Sequence, residues 1–241
     1  MGKLFKWLDN YWYHYKWVTV FTLFIALVVI IGVVQMANRE DPDIRIVYCG
    51  PSVIDGEQKE KIESAFAQIM QKDYNEDGKK SVRLTCLTIL SEEQLERKIA
   101  EAAADDDTIY YDPNSRKEVL QQLNSLLGSG ETIICMLDDY VYASLAEQNA
   151  FASLEGILGA APEYAIDEYS VRLYDLPFAK YFDCFGAIDD SARFCIRNMA
   201  ASALIGNRKT TEKEYEWHKE LFSDIFAFTL PEGWKSAESE G

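Results

Sequence analysis

From Trp17 to Met36 the chain reads WVTVFTLFIALVVIIGVVQM, twenty residues without one charged side chain. A helix of that length spans about 30 Å at 1.5 Å per residue, the thickness of a bilayer's hydrocarbon core. A buried core helix of a soluble domain is a further reading, but such helices rarely go twenty residues without a charge. Just upstream lie Tyr11, Trp12, Tyr13, Tyr15 and Trp17, amphipathic aromatics of the kind that settle at headgroup level. Lys3, Lys6 and Lys16 precede the span, whereas Glu40, Asp41 and Asp43 follow it. The positive-inside bias then predicts a cytoplasmic segment over 1–16, a signal anchor over 17–36, a linker over 37–42 and an extracytoplasmic remainder. A cleaved secretory leader is the competing reading and fits less well. The apolar run exceeds the usual ~7–15 residues, and Gln35-Met36-Ala37 makes a poor small-x-small site.

Charge divides at the same place. Residues 1–36 hold three lysines against Asp9, a local +2, so residues 37–241 carry −18 of a chain total of −16. So acidic a segment repels phosphate backbones and anionic headgroups, which disfavours nucleic acid and peripheral membrane binding. The partners this leaves are the lipid bilayer, through 17–36, and a small solute or an envelope or membrane protein.

Beyond the linker the hydrophobic pattern alternates between strand and helix. IRIVYCG (Ile44–Gly50) is a β-branched run closed by Gly50-Pro51, and Glu57–Lys72 carries Ile62, Phe66, Ile69 and Met70 on one helical stripe. VRLTCLTIL (Val82–Leu90) predicts a second strand. Ser91 and Gln94 then form a capping-box signal for a helix through Leu95, Ile99 and Ala102. Asp112-Pro113 predicts the start of a helix bearing Val119, Leu120, Leu123, Leu126 and Leu127 and ending at Gly128. TIICML (Thr132–Leu137) is apolar throughout, as a strand covered on both faces must be, and Asp138 or Asp139 caps the helix after it. Strand and helix in strict alternation predict an α/β domain over 43–229, a three-layer lobe around a mostly parallel sheet. The second half is less periodic. Phe151–Leu158 reads as a short helix and Ser170–Phe182 as an extended segment broken at Pro177. Cys184–Ile188 and Ala192–Asn198 read as a hairpin around Asp189-Asp190, and a last helix opens with the box Thr211/Glu214. A polar tail follows from 230 to 241.

The run WLDNYWYHYKW ahead of the apolar span resembles membrane-anchored extracytoplasmic proteins of clostridial Firmicutes. LDDYVYASLAEQNAFASLEGIL, LYDLPFAKYF and CIRNMAASALIGNRKTTEKEYEWHKELF are similar to the same group. The resemblance implies an outer domain of the type 2 periplasmic-binding, solute-binding-like fold. With roughly 200 residues outside the membrane there is room for one lobe of that fold rather than two.

Candidate sites are few. Asp73-Tyr74-Asn75-Glu76-Asp77-Gly78 has the D-x-N-x-D-G opening of a calcium loop, with Asp73, Asn75 and Asp77 as oxygen donors. The bidentate acid needed at the twelfth position is absent, because that residue is Leu84, so a solvated turn is the first reading and calcium the second. His218, among Glu214, Glu216 and Glu220, reads as a helix-surface histidine, since no serine or cysteine elbow accompanies it. Asp105-Asp106-Asp107 reads as a polar helix end. Arg193 and Arg197, on one strand face, would either clamp an anion or pair with nearby aspartates. Of the five cysteines none lies in CxxC spacing, and the predicted hairpin would set Cys184 opposite Cys195. The site with the firmest physical basis comes from topology: in open parallel sheets ligands sit beyond the carboxyl ends of the strands. Those ends place Ser52, Asp139 and Tyr140 together, with Tyr110 and Tyr111 adjacent. The expected function is a membrane-anchored extracytoplasmic binding or interaction module with no catalytic constellation. The alternatives are an envelope enzyme using strand-end carboxylates and a structural subunit of a membrane complex.

Overall fold

The computed structural model describes residues 2–37, 41–104, 112, 114–130, 132–199 and 208–234, and the side chains of 3–10, 35–37 and 208–211 lie outside that description. Tyr110, Tyr111, Asp105–Asp107 and the tail beyond 234 fall outside it as well. With no proline to interrupt it, the N-terminal region forms one continuous helix, α1 (Gly2–Ala37). Its Tyr11–Val34 portion, whose most apolar 18-residue window has mean hydropathy 2.8 and is unburied, is long and apolar enough to cross a membrane. Residues 1–41 and 42–241 form two separate compact units.

The second unit is a mixed α/β domain built on one five-stranded sheet, in the order β2-β1-β3-β5-β4. β1 (Ile44–Gly50) has the predicted bounds. β2 (Val82–Thr88) and β3 (Ile134–Leu137) lie parallel to it on either side, Ile44 opposite Val82 and Ile46 opposite Ile134. β5 (Arg193–Ile196) runs antiparallel to β3, and β4 (Ser170–Arg172) antiparallel to β5. Four strands therefore share one direction and β5 alone is reversed.

Strand alternation sends successive residues of β1 into two cores. Ile44, Ile46 and Tyr48 join Phe66 of α2 (Gly56–Ile69), Phe178 of α7 (Pro177–Tyr181) and Phe222 of α8 (Arg208–Ala227). Val47 and Cys49 join Leu123 of α4 (Ser115–Ser129) and Val141 and Leu145 of α5 (Asp139–Ala146). Helices cover both faces, which is why β3 is apolar throughout and β1 has Arg45 as its one polar residue. α3 (Glu92–Ala104) opens with the predicted box: Ser91 Oγ accepts from the Gln94 N–H at 3.1 Å, and Gln94 Oε1 accepts from the Ser91 N–H at 2.8 Å.

The second half departs from the expected pattern. Instead of a long extended segment, β4 is three residues and passes through a 3-10 turn (Leu173–Asp175) into α7, with Pro177 at its first position. A proline there loses nothing, because that N–H has no intrahelical partner in any case. The predicted hairpin is absent: Cys184 lies in a second 3-10 turn (Asp183–Ala187), and Cys195 faces Cys135 and Ser170 across β5. No bridge joins Cys184 to Cys195, and all five cysteines are free thiols. The apolar residues of that segment plug a core rather than alternate along a strand, Phe185 meeting Phe66 at 5.4 Å and Phe178 at 4.9 Å between ring centroids. α4 starts after Asn114 and ends at left-handed Gly130 (φ 78°) rather than at Gly128. α6 (Leu154–Leu158) starts after Ser153, since Phe151 pairs with Arg197 in an isolated bridge. α8 begins at Arg208, so Thr211 lies inside the helix and is not its cap.

Candidate functional site

With β2 and β3 on opposite sides of β1, the chain leaves the carboxyl ends of β1 and β3 in diverging directions, the switch point at which open α/β sheets bind ligands. The two ends are stitched together by the Asp138 N–H, which donates to the Cys49 C=O at 3.0 Å. At the β1 exit the chain turns over Tyr48, whose hydroxyl accepts from the Ser52 N–H at 2.9 Å. Gly50 is required there: a Cβ on it would lie 2.7 Å from Tyr48 Oη. Val53 follows, 75% exposed, and the β3 exit presents Tyr140, 39% exposed, on the first turn of α5.

Asp138, buried, caps α5 by accepting from the Tyr140 N–H at 2.8 Å. Its other oxygen accepts from Gln94 Nε2 at 3.0 Å and faces Ser191 Oγ at 2.8 Å. The capping residue of α3 thus also ties that helix to the end of β3. Asp139, the next residue, points to the strands beyond β3. Arg172 Nη2 donates to it at 2.8 Å from the end of β4, and Arg193 Nε donates from the start of β5. Because β5 is antiparallel, its first residue lies at the same end of the sheet as the last residue of β4, and Arg172 and Arg193 are register partners. Arg193 Nη1 continues the chain to Asp167 at 2.8 Å, and its guanidinium lies 4.5 Å from the centre of the Tyr142 ring. Asp167 also accepts from the Tyr142 hydroxyl at 2.9 Å, the Ser170 hydroxyl at 2.9 Å and the Tyr169 N–H at 2.9 Å.

These partners set the charge states. Partial burial works to raise the Asp139 carboxyl, but bonding to Arg172 and Arg193 outweighs it and holds the group below the ordinary carboxylate value. Asp167 is likewise held low, against its burial, by Tyr169, Ser170, Tyr142 and Arg193. Burial takes the Tyr48 phenol up to about 12 and also raises Tyr142. Both acids are therefore ionised at neutral pH and occupied by donors. Such groups position and recognise; a general acid needs the opposite shift.

Of the sequence-level candidates, Asp139 and Tyr140 share the first turn of α5, and Ser52 lies on the loop leaving the neighbouring strand. Arg193 pairs with aspartates, as one of its two readings held. It does not clamp with Arg197, four residues and about 13 Å further along the strand direction. Arg172, Asp167 and Ser191 escaped the sequence reading, which held Gln94 only as half of a capping box. Two signals were present: Asp167 and Asp189 each accept from the backbone N–H two residues on, the Asx-turn habit of aspartate before a strand.

The other candidates lie elsewhere. In the turn after α2, Asp73 accepts from the Glu76 and Gly78 N–H groups at 2.9 and 2.7 Å, and Asn75 and Asp77 accept from those of Asp77 and Lys79. The oxygens proposed for calcium thus hold the loop's own backbone. Among the described residues no three His, Cys, Asp or Glu side chains converge as metal ligands. Buried Asp43 ties this turn to β1, accepting from the N–H groups of Tyr74, Asn75 and Ser81 at 2.8, 2.7 and 2.9 Å. His218 is not on the surface but 2% exposed: Nε2 accepts from the Arg45 N–H at 3.0 Å, and Nδ1 bonds the Glu214 C=O at 2.6 Å. No family model, curated protein or solved structure matches this chain.

Proposed function

We propose that the chain is a single-pass, membrane-anchored extracytoplasmic binding module, similar to one lobe of a solute-binding protein, with its N-terminus in the cytoplasm. The observation that carries this reading is the β1/β3 switch point. There Val53 and Tyr140 are exposed at the exits of β1 and β3, and next to Tyr140 in the chain Asp139 opens a network in which Arg172, Asp139, Arg193 and Asp167 are fixed in place by mutual bonds. A rigid polar cluster beside an aromatic and an aliphatic contact is the composition of a recognition surface. The ionised, donor-saturated state of Asp139 and Asp167 favours recognition over the carboxylate chemistry of an envelope enzyme.

The apolar helix and the charge step across it support the anchor and its direction. The size of the second unit supports one lobe, so the ligand is held at an open sheet end rather than between closing lobes.

The test is a thermal-shift screen of small solutes on the detergent-solubilised chain, with each hit repeated on Tyr140→Ala. A saturable rise in midpoint that Tyr140→Ala abolishes is the expected result. Failure of every solute, together with no crosslink to another envelope protein from a photoreactive residue at position 53 or 140, overturns the proposal.

A further inference from the structure

Arg197 stands just past β5, at the end of the sheet opposite the switch point. Its N–H donates to the Ile133 C=O at 2.8 Å, and its own C=O accepts from the Tyr215 hydroxyl at 3.0 Å. Only 3% of the residue is exposed, and it is the sole buried arginine or lysine among the described residues.

The backbone is well held, but the guanidinium is not. Nη1 reaches the Thr132 C=O across a long 3.5 Å, and Nη2, out of contact with solvent, has no hydrogen-bond partner among the described residues. Among the described residues Arg197 enters no ion pair, whereas Arg172 and Arg193 both bind Asp139.

Arginine cannot escape by losing its proton, so it stays a cation wherever it is placed. A buried charge with no partner costs several kcal/mol, and native proteins pair such charges or coordinate them. The chain has 40 acidic residues, yet no described one is brought here. The Tyr215 hydroxyl beside it donates to the arginine's own carbonyl and receives no hydrogen bond from Nη2. What is missing is an acceptor, and the planar fork of a guanidinium is matched by the paired oxygens of a carboxylate or phosphate.

We propose that Arg197 is an anion site, taking a small oxyanion of the carboxylate or phosphate class at the amino end of β3, with Nη2 as its principal donor. The site stands apart from the switch point and does not rest on the function proposed there. Because Nη2 is closed to solvent, the anion enters when the ends of β3 and β5 open locally, and binding equilibrates slowly.

The test uses the full chain in uncharged detergent and chloride-free buffer. Samples are incubated overnight with inorganic phosphate or with acetate, with ionic strength held by a bulky sulfonate. A saturable rise in thermal midpoint with one of the two anions is expected, along with its loss in Arg197→Met. Without added anion, Arg197→Met should melt no lower than the natural chain, since it removes an unpaired buried charge. Arg197→Lys keeps the charge without the fork and should bind at least tenfold more weakly; it decides the matter if the methionine variant does not fold. Three results overturn the proposal: no anion response, an equal response in both variants, or an Arg197→Met that melts lower with no anion response. The last would mean that a carboxylate of the chain itself holds the guanidinium.

Discussion

His218 works in the fold through its uncharged form. With Nδ1–H given to the Glu214 C=O, Nε2 keeps the lone pair that receives the Arg45 N–H and so fastens α8 to β1. Protonation would put a hydrogen where that N–H arrives, and burial takes the imidazole down to about 4 from 6.5. The unfolded chain binds this proton near pH 6.5 and the folded chain only near 4, so stability is full at neutral pH and drains away between those values. The loss amounts to roughly 3 kcal/mol once both states are protonated. Urea midpoints measured across that window should fall with acid in the natural chain. In His218→Leu they should start lower, by about 1–3 kcal/mol for the orphaned Arg45 N–H, and change less. An unaltered slope in the variant would place the acid sensitivity elsewhere. Gly50 makes a second residue-scale claim. Alanine there drives a methyl group against the buried Tyr48 ring, at 2.7 Å from Oη and 3.0 Å from Cζ, and should cost about 1–3 kcal/mol. Tyr48→Phe in that background removes the nearest atom and should recover part of the loss, so a double-mutant cycle should show coupling. Neither residue was fully legible in the sequence. Gly50 reads as the end of a strand but not as the floor beneath a tyrosine, and the polar neighbours of His218 disguise a side chain turned inward.

At the scale of elements, the parts that read correctly are those whose pattern is local. β1 repeats its predicted bounds because its seven residues are apolar or aliphatic-stemmed and end at Gly50-Pro51. The Ser91/Gln94 box needs only a spacing of three. β4 and β5, at three and four residues, exist only because β3 offers an edge to β5 and β5 in turn offers one to β4, and no local period announces a strand so short. The candidate site divides along the same line. Asp139 and Tyr140 follow from the β3 exit, whereas Arg172 and Arg193 reach the site only through an antiparallel pairing invisible in the sequence. Their burial ranks them. Arg193 has 17% of its side chain exposed and bonds two carboxylates, while Arg172 has 32% exposed and bonds one. Arg193→Met should therefore destabilise by roughly 2–3 kcal/mol, leaving Asp139 and Asp167 short of a cation. Arg172→Met should cost nearer about 1 kcal/mol and lose most of that difference in high salt. Chemical denaturation of both variants at low and high salt checks the order, and equal losses would mean that the network does not run through Arg193.

The whole molecule joins two units, one an unburied helix long and apolar enough to cross a membrane and the other a domain with its own cores. α1 is 36 residues, about 54 Å at the helical rise, so it exceeds a 30 Å hydrocarbon core by some 24 Å. The excess lies mainly before Trp17, in the stretch that carries the aromatics. Tyr11, Trp12, Tyr13, Tyr15 and Trp17 advance by about 100° per residue and so surround the helix axis instead of marking one side. A helix lying flat on a membrane divides into an apolar and a charged face; one ringed by aromatics passes through the headgroup layer. Every described residue of both cores of the second unit lies within 42–241. Residues 42–241 alone should therefore be soluble without detergent and unfold in one cooperative transition, while the full chain should stay with membranes through alkaline carbonate extraction. If the proposed orientation holds, with the lysines before the apolar stretch facing the cytoplasm and the acids after it outside, protease added outside intact protoplasts should leave a protected fragment ending near residue 40. Recovery of the full chain in the carbonate supernatant removes the anchor, and complete protection of the acidic unit reverses its direction. A truncated chain that is insoluble or melts without cooperativity would show instead that the helix contributes to the fold as well as to its address.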